Sequence, residues 1–243
     1  MLLDEYAVHI QRAITAIQTD QREKILQAAH MVKDVLSQDG LLYVFGCGHS
    51  HILAEETFYR AGGLACVAPI FYEPLMLHEG AAESSRLEKE SGLAHQILAP
   101  YHLTRKDLLL CISTSGINAV PVELAEAVHS MGIPTIAISS GAYAEDASRA
   151  PSGKHLYEVA DLWLDNLAPH GDACLMPEGS PIPTTPISTI TGTFLMNSIL
   201  AEGMELAIKD GVAVPAYLSG NIPGGAAYNR SLIQRYQSRI RHL

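Results

Sequence analysis

Basic residues are scarce in this chain: 16 Lys and Arg stand against 26 Asp and Glu, a formal net charge of −10 over 243 residues. A nucleic-acid backbone or an anionic membrane surface is recognised by clustered cations, so neither is expected as a partner. Long apolar runs are missing as well. None exceeds five residues, whereas a membrane-crossing helix needs roughly 20. Met1 to Ile10 carries Asp4 and Glu5 and has no basic n-region of a secretion signal, so the expected compartment is the cytoplasm. Cysteine is sparse: Cys47, Cys66, Cys111 and Cys174 show no Cys-x-x-Cys spacing, which argues against a disulfide framework and structural zinc.

Apolar residues make up 48% of the chain, and their periodicity gives its organisation. Leu2 to Gln18 and Arg22 to Gln38 place Ile10, Ile14 and Ile17, then Ile25, Ala28, Ala29, Val32, Val35 and Leu36, at helical spacing. Asp39-Gly40 is a stop signal, so an N-terminal helical pair is expected. Five short apolar runs follow: Leu41 to Phe45, Leu64 to Ala68, Asp107 to Ser113, Pro134 to Ser139 and Asp161 to Asp165. They read as strands buried on both faces, and their alternation with helical patterns predicts a five-stranded parallel α/β sheet with crossover helices on both faces. Phe71 to Gly92, with five Glu, Lys89 and Arg86, reads as a long polar connection, partly a surface helix at most. Ala168 to Pro186, with five prolines, reads as an extended loop. Ile187 to Asp210 predicts a long apolar helix and Tyr228 to Leu243 a basic one. The whole is expected to be a single domain, with helices in 1–38, an α/β core in 41–210 and an extension in 211–243.

Two loops point to anion binding. Gly46-Cys47-Gly48-His49-Ser50 stands where a strand turns into a helix. Glycine there permits positive φ and close approach of a ligand to backbone N–H donors at a helix start. His51 occupies the place of the third glycine of a dinucleotide fingerprint, and the Gly-Lys-Ser/Thr of a P-loop is absent. Ser113-Thr114-Ser115-Gly116-Ile117-Asn118 repeats the strand-to-helix arrangement. Hydroxyls and N–H groups hold a phosphate without a full positive charge, although Ser, Thr and Asn also simply cap helices. Both loops would lie at the carboxyl ends of parallel strands, where open α/β sheets bind ligands.

With these motifs, and with Ser188-Thr189-Ile190-Thr191-Gly192-Thr193 opening the long helix, the sequence resembles the SIS (sugar isomerase) domain family. The resemblance implies a flavodoxin-like sheet and a phosphorylated sugar as ligand. Its phosphate would be held by Gly48, Ser50, Ser113, Thr114, Ser115 and Asn118, with Ser188 also at the site; Asn118 stands where the family usually has Ser or Thr. Cys111 to Gly116 is most similar to phosphoheptose isomerases, and His78-Glu79-Gly80-Ala81 more weakly to N-acetylmuramic acid 6-phosphate etherases. An aldose–ketose isomerase is therefore expected, with an etherase-like lyase and a non-catalytic sensor as rivals.

Both reactions begin with removal of a proton beside a carbonyl, which needs a positioned base. Of Glu55, Glu56, Glu79 and Glu83, the expected bases are Glu55, one turn after His51 and next to the first loop, and Glu79. The i, i+4 pair His51 and Glu55 also has the spacing of a divalent-metal site, Zn²⁺ for instance, with His155 or His170 completing it. Apolar helices in excess of what one sheet can cover suggest a homodimer or homotetramer.

Overall fold

The computed structural model describes residues 1–243. Two helices open the chain, α1 (Leu2–Asp20) and α2 (Arg22–Ser37), broken only at Gln21. After them come β1 (Leu42–Gly46), α3 (His51–Thr57), β2 (Val67–Ile70), α4 (Leu77–Leu87), α5 (Ala94–Leu98) and β3 (Leu108–Ile112). The chain continues through α6 (Ala119–Ser130), β4 (Thr135–Ser139), α7 (Leu156–Val159), β5 (Leu162–Asp165), β6 (Ala173–Leu175), β7 (Thr184–Pro186), α8 (Ser188–Lys209) and α9 (Gly225–Tyr236).

The sheet has the order β2-β1-β3-β4-β5 and every pair in it is parallel. This is the flavodoxin-like order, whose switch point lies between β1 and β3. The register sets Gly46 opposite Ile112, so the loops after β1 and β3 leave the sheet side by side. Strands β1, β3 and β4 are wholly buried, as apolar strands covered on both faces must be. Helices α2, α3 and α8 pack as one group and α5, α6 and α7 as another.

The edges depart from the sequence reading. Strand β2 runs through Pro69 to Ile70 rather than ending at Ala68, because an edge strand tolerates a residue without an N–H donor. The opposite edge, β5, is partly exposed, with only Leu164 buried, rather than buried on both faces. Gln21 stands in for a missing neighbour there. Its Oε1 accepts from Asp165 N at 2.7 Å and its Nε2 donates to Asp165 O at 2.5 Å.

The two long connections are structured. Phe71 to Gly92 contains α4, distorted at Gly80 (φ 146°), and Ala168 to Pro186 contains the antiparallel pair β6–β7. The C-terminal helix begins earlier than expected, at Gly225, and ends at Tyr236. No helix is long and apolar enough to cross a membrane.

Candidate functional site

The loop after β1 is shaped by its glycines. A side chain at Gly46 would lie 2.6 Å from the Ser50 backbone, and Gly48 has φ +55°. The chain can thus double back, with Ser50 N donating to Cys47 O at 2.9 Å, and bring Ser50 over the end of the sheet. The loop after β3 follows the same logic. Gly116 (φ +64°) lies against Ser139, which leaves only 3.2 Å for a Cβ, and its N–H donates to Ser113 Oγ at 3.2 Å.

Between the two loops lies a cleft of about 270 Å³. Gly48, Ser50, Ser113, Thr114, Ser115, Asn118 and Ser188, all expected at the site, lie on its wall. Asn166 joins them from the end of β5, its Nδ2 donating to Thr114 Oγ1 at 3.4 Å. The cleft wall contains no Lys or Arg. The donors it offers an anion are hydroxyls and N–H groups of the two loops, which can hold a phosphate without a full positive charge.

Two expected ligands have part of their hydrogen-bonding capacity committed elsewhere. Ser188 Oγ donates to Asp172 Oδ2 at 2.6 Å, and Asp172 Oδ1 accepts from Ser188 N at 2.8 Å, so the Asp172 carboxylate caps α8. Asn118 stands at the start of α6 but makes no side-chain cap bond. Instead its Nδ2 donates to Glu88 Oε1 at 2.8 Å, and its Oδ1 accepts from Arg149 Nη1 at 2.8 Å.

The expected bases, Glu55 and Glu79, are not on the cleft wall. Glu55 points to solvent from α3, with half of its side chain exposed, and meets only His51 Nε2 at 3.3 Å. Glu79 sits on the outer end of α4, equally exposed, with His78 Nε2 3.6 Å away. Two carboxylates do reach the cleft wall: that of Asp172, already committed to the start of α8, and that of Glu88, at the C-terminal end of α4. Glu88 is half-buried, and its Oε2 lies 3.8 Å from the point where a Gly48 Cβ would stand. Burial raises its pKa above the ordinary carboxylate value, against the opposing pull of Lys89 and Arg149. Sequence reasoning passed over Glu88 because it is one of five glutamates in a polar stretch. The available signal was the i, i+4 pairing of Glu88 with Ser84, which places both on one face of α4 and on the cleft wall. His49 and Tyr143, also unassigned from sequence, line the cleft too.

The residues of the metal expectation are not brought together. His51 is buried behind the loop, its Nδ1 bonded to Gly48 O and its Nε2 facing Glu55. His155 caps α7 through Glu158 and bonds Asp146 O at 2.8 Å, and His170 pairs with Asp146 Oδ2 at 3.0 Å. Neither histidine joins His51, and nowhere do three His, Cys, Asp or Glu side chains gather as a metal shell.

Comparison with known proteins adds four findings. Residues 5–140, which include both cleft loops, match the family model described as SIS domain. A UPF0309 protein of Geobacillus sp. (strain WCH70) is 42% identical over 240 residues, covering 98% of this chain and 97% of its own. One from Caldanaerobacter subterraneus is 42% identical over 246 residues, covering both chains in full. Among solved structures, the phosphoheptose isomerase GmhA from Neisseria gonorrhoeae is 20% identical with a TM-score of 0.49, over 85% of this chain and 98% of that one.

Proposed function

Because the chain belongs to the SIS domain family, and with it to the UPF0309 proteins, we propose that it binds a phosphorylated sugar and interconverts its aldose and ketose forms, with Glu88 as the base. The observation that carries this reading is a partly buried carboxylate, Glu88, on the wall of a cleft whose two end loops offer hydroxyls and N–H groups but no cation; the other carboxylate on that wall, Asp172, is engaged by the start of α8. In the proposed reaction Ser50, Ser113, Thr114 and Ser115 hold the phosphate. This fixes the sugar so that its carbon next to the carbonyl faces Glu88. Glu88 takes the proton from that carbon to give an enediol and returns it to the neighbouring carbon. The hydroxyl proton passes between the two oxygens, a transfer assigned to His49 at the rim. Atoms balance without any co-reactant. A base works best when its pKa lies close to the working pH, and burial moves Glu88 in that direction. The unit taken to do this is the whole of 1–243, since Arg235 and Arg239 on the C-terminal extension hold Asp39 at the entry to β1.

The test is hydrogen exchange. Wild-type protein incubated in D₂O with glucose 6-phosphate, fructose 6-phosphate, sedoheptulose 7-phosphate and N-acetylglucosamine 6-phosphate is expected to place deuterium beside the carbonyl of at least one. Glu88→Gln should lower that exchange by at least about 100-fold while still showing a thermal shift with the phosphorylated sugar. Full exchange by Glu88→Gln overturns the assignment of the base. Tight binding without exchange by the wild type makes the sensor reading the better one.

A further inference from the structure

Glu88, Asn118 and Arg149 come from three separate segments: the end of α4, the start of α6, and the loop that follows β4. They meet in one line, Nη1 of Arg149 to Oδ1 of Asn118 at 2.8 Å, then Nδ2 of Asn118 to Oε1 of Glu88 at 2.8 Å. The line is held at each end by backbone. Val120 N donates to Glu88 O at 3.1 Å, and Arg149 N donates to Ile117 O at 2.7 Å. Asn118 itself is buried, so its amide pays for desolvation unless both of its polar atoms are used, and here both are.

We propose that Arg149 is a positioning residue for Glu88, acting through Asn118; this deepens the reading of Glu88 as the base and rests on it. An asparagine amide can present either its oxygen or its nitrogen to a neighbour, and the two choices have opposite effects on a carboxylate. A guanidinium has donors only, so it accepts only the oxygen of Asn118 as its partner. That fixes the amide with its N–H groups toward Glu88. One carboxylate oxygen is thereby tied down, and the other, Oε2, is left beside Gly48 at the phosphate loop. Asn118, which sequence resemblance placed among the phosphate ligands, works in this scheme on the base instead. The same line carries positive charge toward a carboxylate that is losing water. The charged groups acting on Glu88 are Lys89, next in the chain, and Arg149. The neighbouring thiol of Cys47 is buried and stays protonated, its pKa raised by burial and by Glu88.

The experiment reads Glu88 itself. In protein labelled with ¹³C at glutamate side-chain carboxyls, the Glu88 resonance is identified by its loss in Glu88→Gln and followed over pH without any sugar present. Arg149→Met and Asn118→Ala are each expected to move its titration midpoint upward, and Arg149→Lys, which keeps the charge and a donor-only head group, to move it less than Arg149→Met. An unchanged midpoint in both Arg149→Met and Asn118→Ala overturns the proposal. In D₂O with the exchanging sugar phosphate, Arg149→Met should exchange about tenfold more slowly than wild type at pH 6. The deficit should be smaller at pH 8, since raising the pH favours the ionised carboxylate in both proteins. A deficit that is the same at both pH values would mean general structural damage and would also overturn the proposal. Since the carboxyl titration needs no turnover, it decides on Arg149 even if Glu88→Gln proves to exchange normally and the isomerase reading falls.

Discussion

Glu88 costs the fold something, because a carboxylate that loses water on folding resists ionisation. Its pKa in the native chain lies above that of the unfolded chain, burial being the main cause. The native state therefore holds the proton to higher pH than the unfolded state does, and stability falls as pH rises from the ordinary carboxylate range through the raised native value. Glu88→Gln removes that penalty while Gln can still accept from Asn118. The variant is expected to melt higher than wild type at pH 7 and at the same temperature at pH 3.5, as read by calorimetry at the two pH values. Equal melting temperatures at pH 7 would show that Lys89 and Arg149 already cancel the burial cost. A residue whose replacement stabilises the protein while abolishing its chemistry is what a site under functional constraint predicts.

Helices α2 and α8 show at the level of elements how closely the sequence specifies packing. Gly203 on α8 faces Val32 on α2, and a Cβ there would stand 2.6 Å from Val32 Cγ1 and 3.2 Å from Ala29 O. In an open helix Gly→Ala gains about 1 kcal/mol. Here overpacking opposes it, typically by about 1 to 3 kcal/mol, and Val32 is fully buried with a side chain stiff at χ1. Gly203→Ala is therefore expected to lower the urea midpoint, and Gly203→Ala with Val32→Ala to recover part of the loss. A midpoint at or above wild type in the single variant would contradict this packing. These helices were legible because their apolar periodicity is long: Ile187 to Asp210 became Ser188–Lys209 with an end shift of one residue at each side. The central strands were legible for a related reason, since a run such as Leu108–Ile112, buried on both faces, has no polar positions to blur it. The pair β6–β7 was not, because each strand is three residues long and Pro186 and neighbouring prolines read as loop. At the site, the two loops announced themselves through glycine and hydroxyl clusters at strand ends. Glu88 did not, because what distinguishes it from Glu79 and Glu83 is the turn of α4 on which it falls and the arrival of Asn118 from 30 positions along the chain.

The surface of the whole molecule carries a second consequence of the sequence. On α1, Leu3, Ala7, Ile10, Ile14 and Ile17 follow a 3–4 spacing that forms one seam along the helix. Only Ile17 is buried; Ile10 and Ile14 are partly covered, and Leu3 stands 69% exposed at the far end. The seam thus begins inside the molecule, where α1 packs on α8, and runs out of cover toward the N-terminus. An apolar seam of this spacing is satisfied by another helix of the same pattern, and a second copy of the chain supplies one. The net charge of −10 opposes such pairing at long range, so screening by salt should favour it. Light scattering at micromolar concentration is expected to give at least a dimer, with a larger dimer fraction at 0.5 M than at 0.05 M NaCl. Leu3→Glu together with Ala7→Glu, at positions exposed in the single chain, should shift the balance toward monomer without lowering the melting temperature of that monomer. A wild-type protein that scatters as a monomer at both salt concentrations would remove the seam as an association surface. A dimer unaffected by the two glutamates would place the contact elsewhere on the molecule.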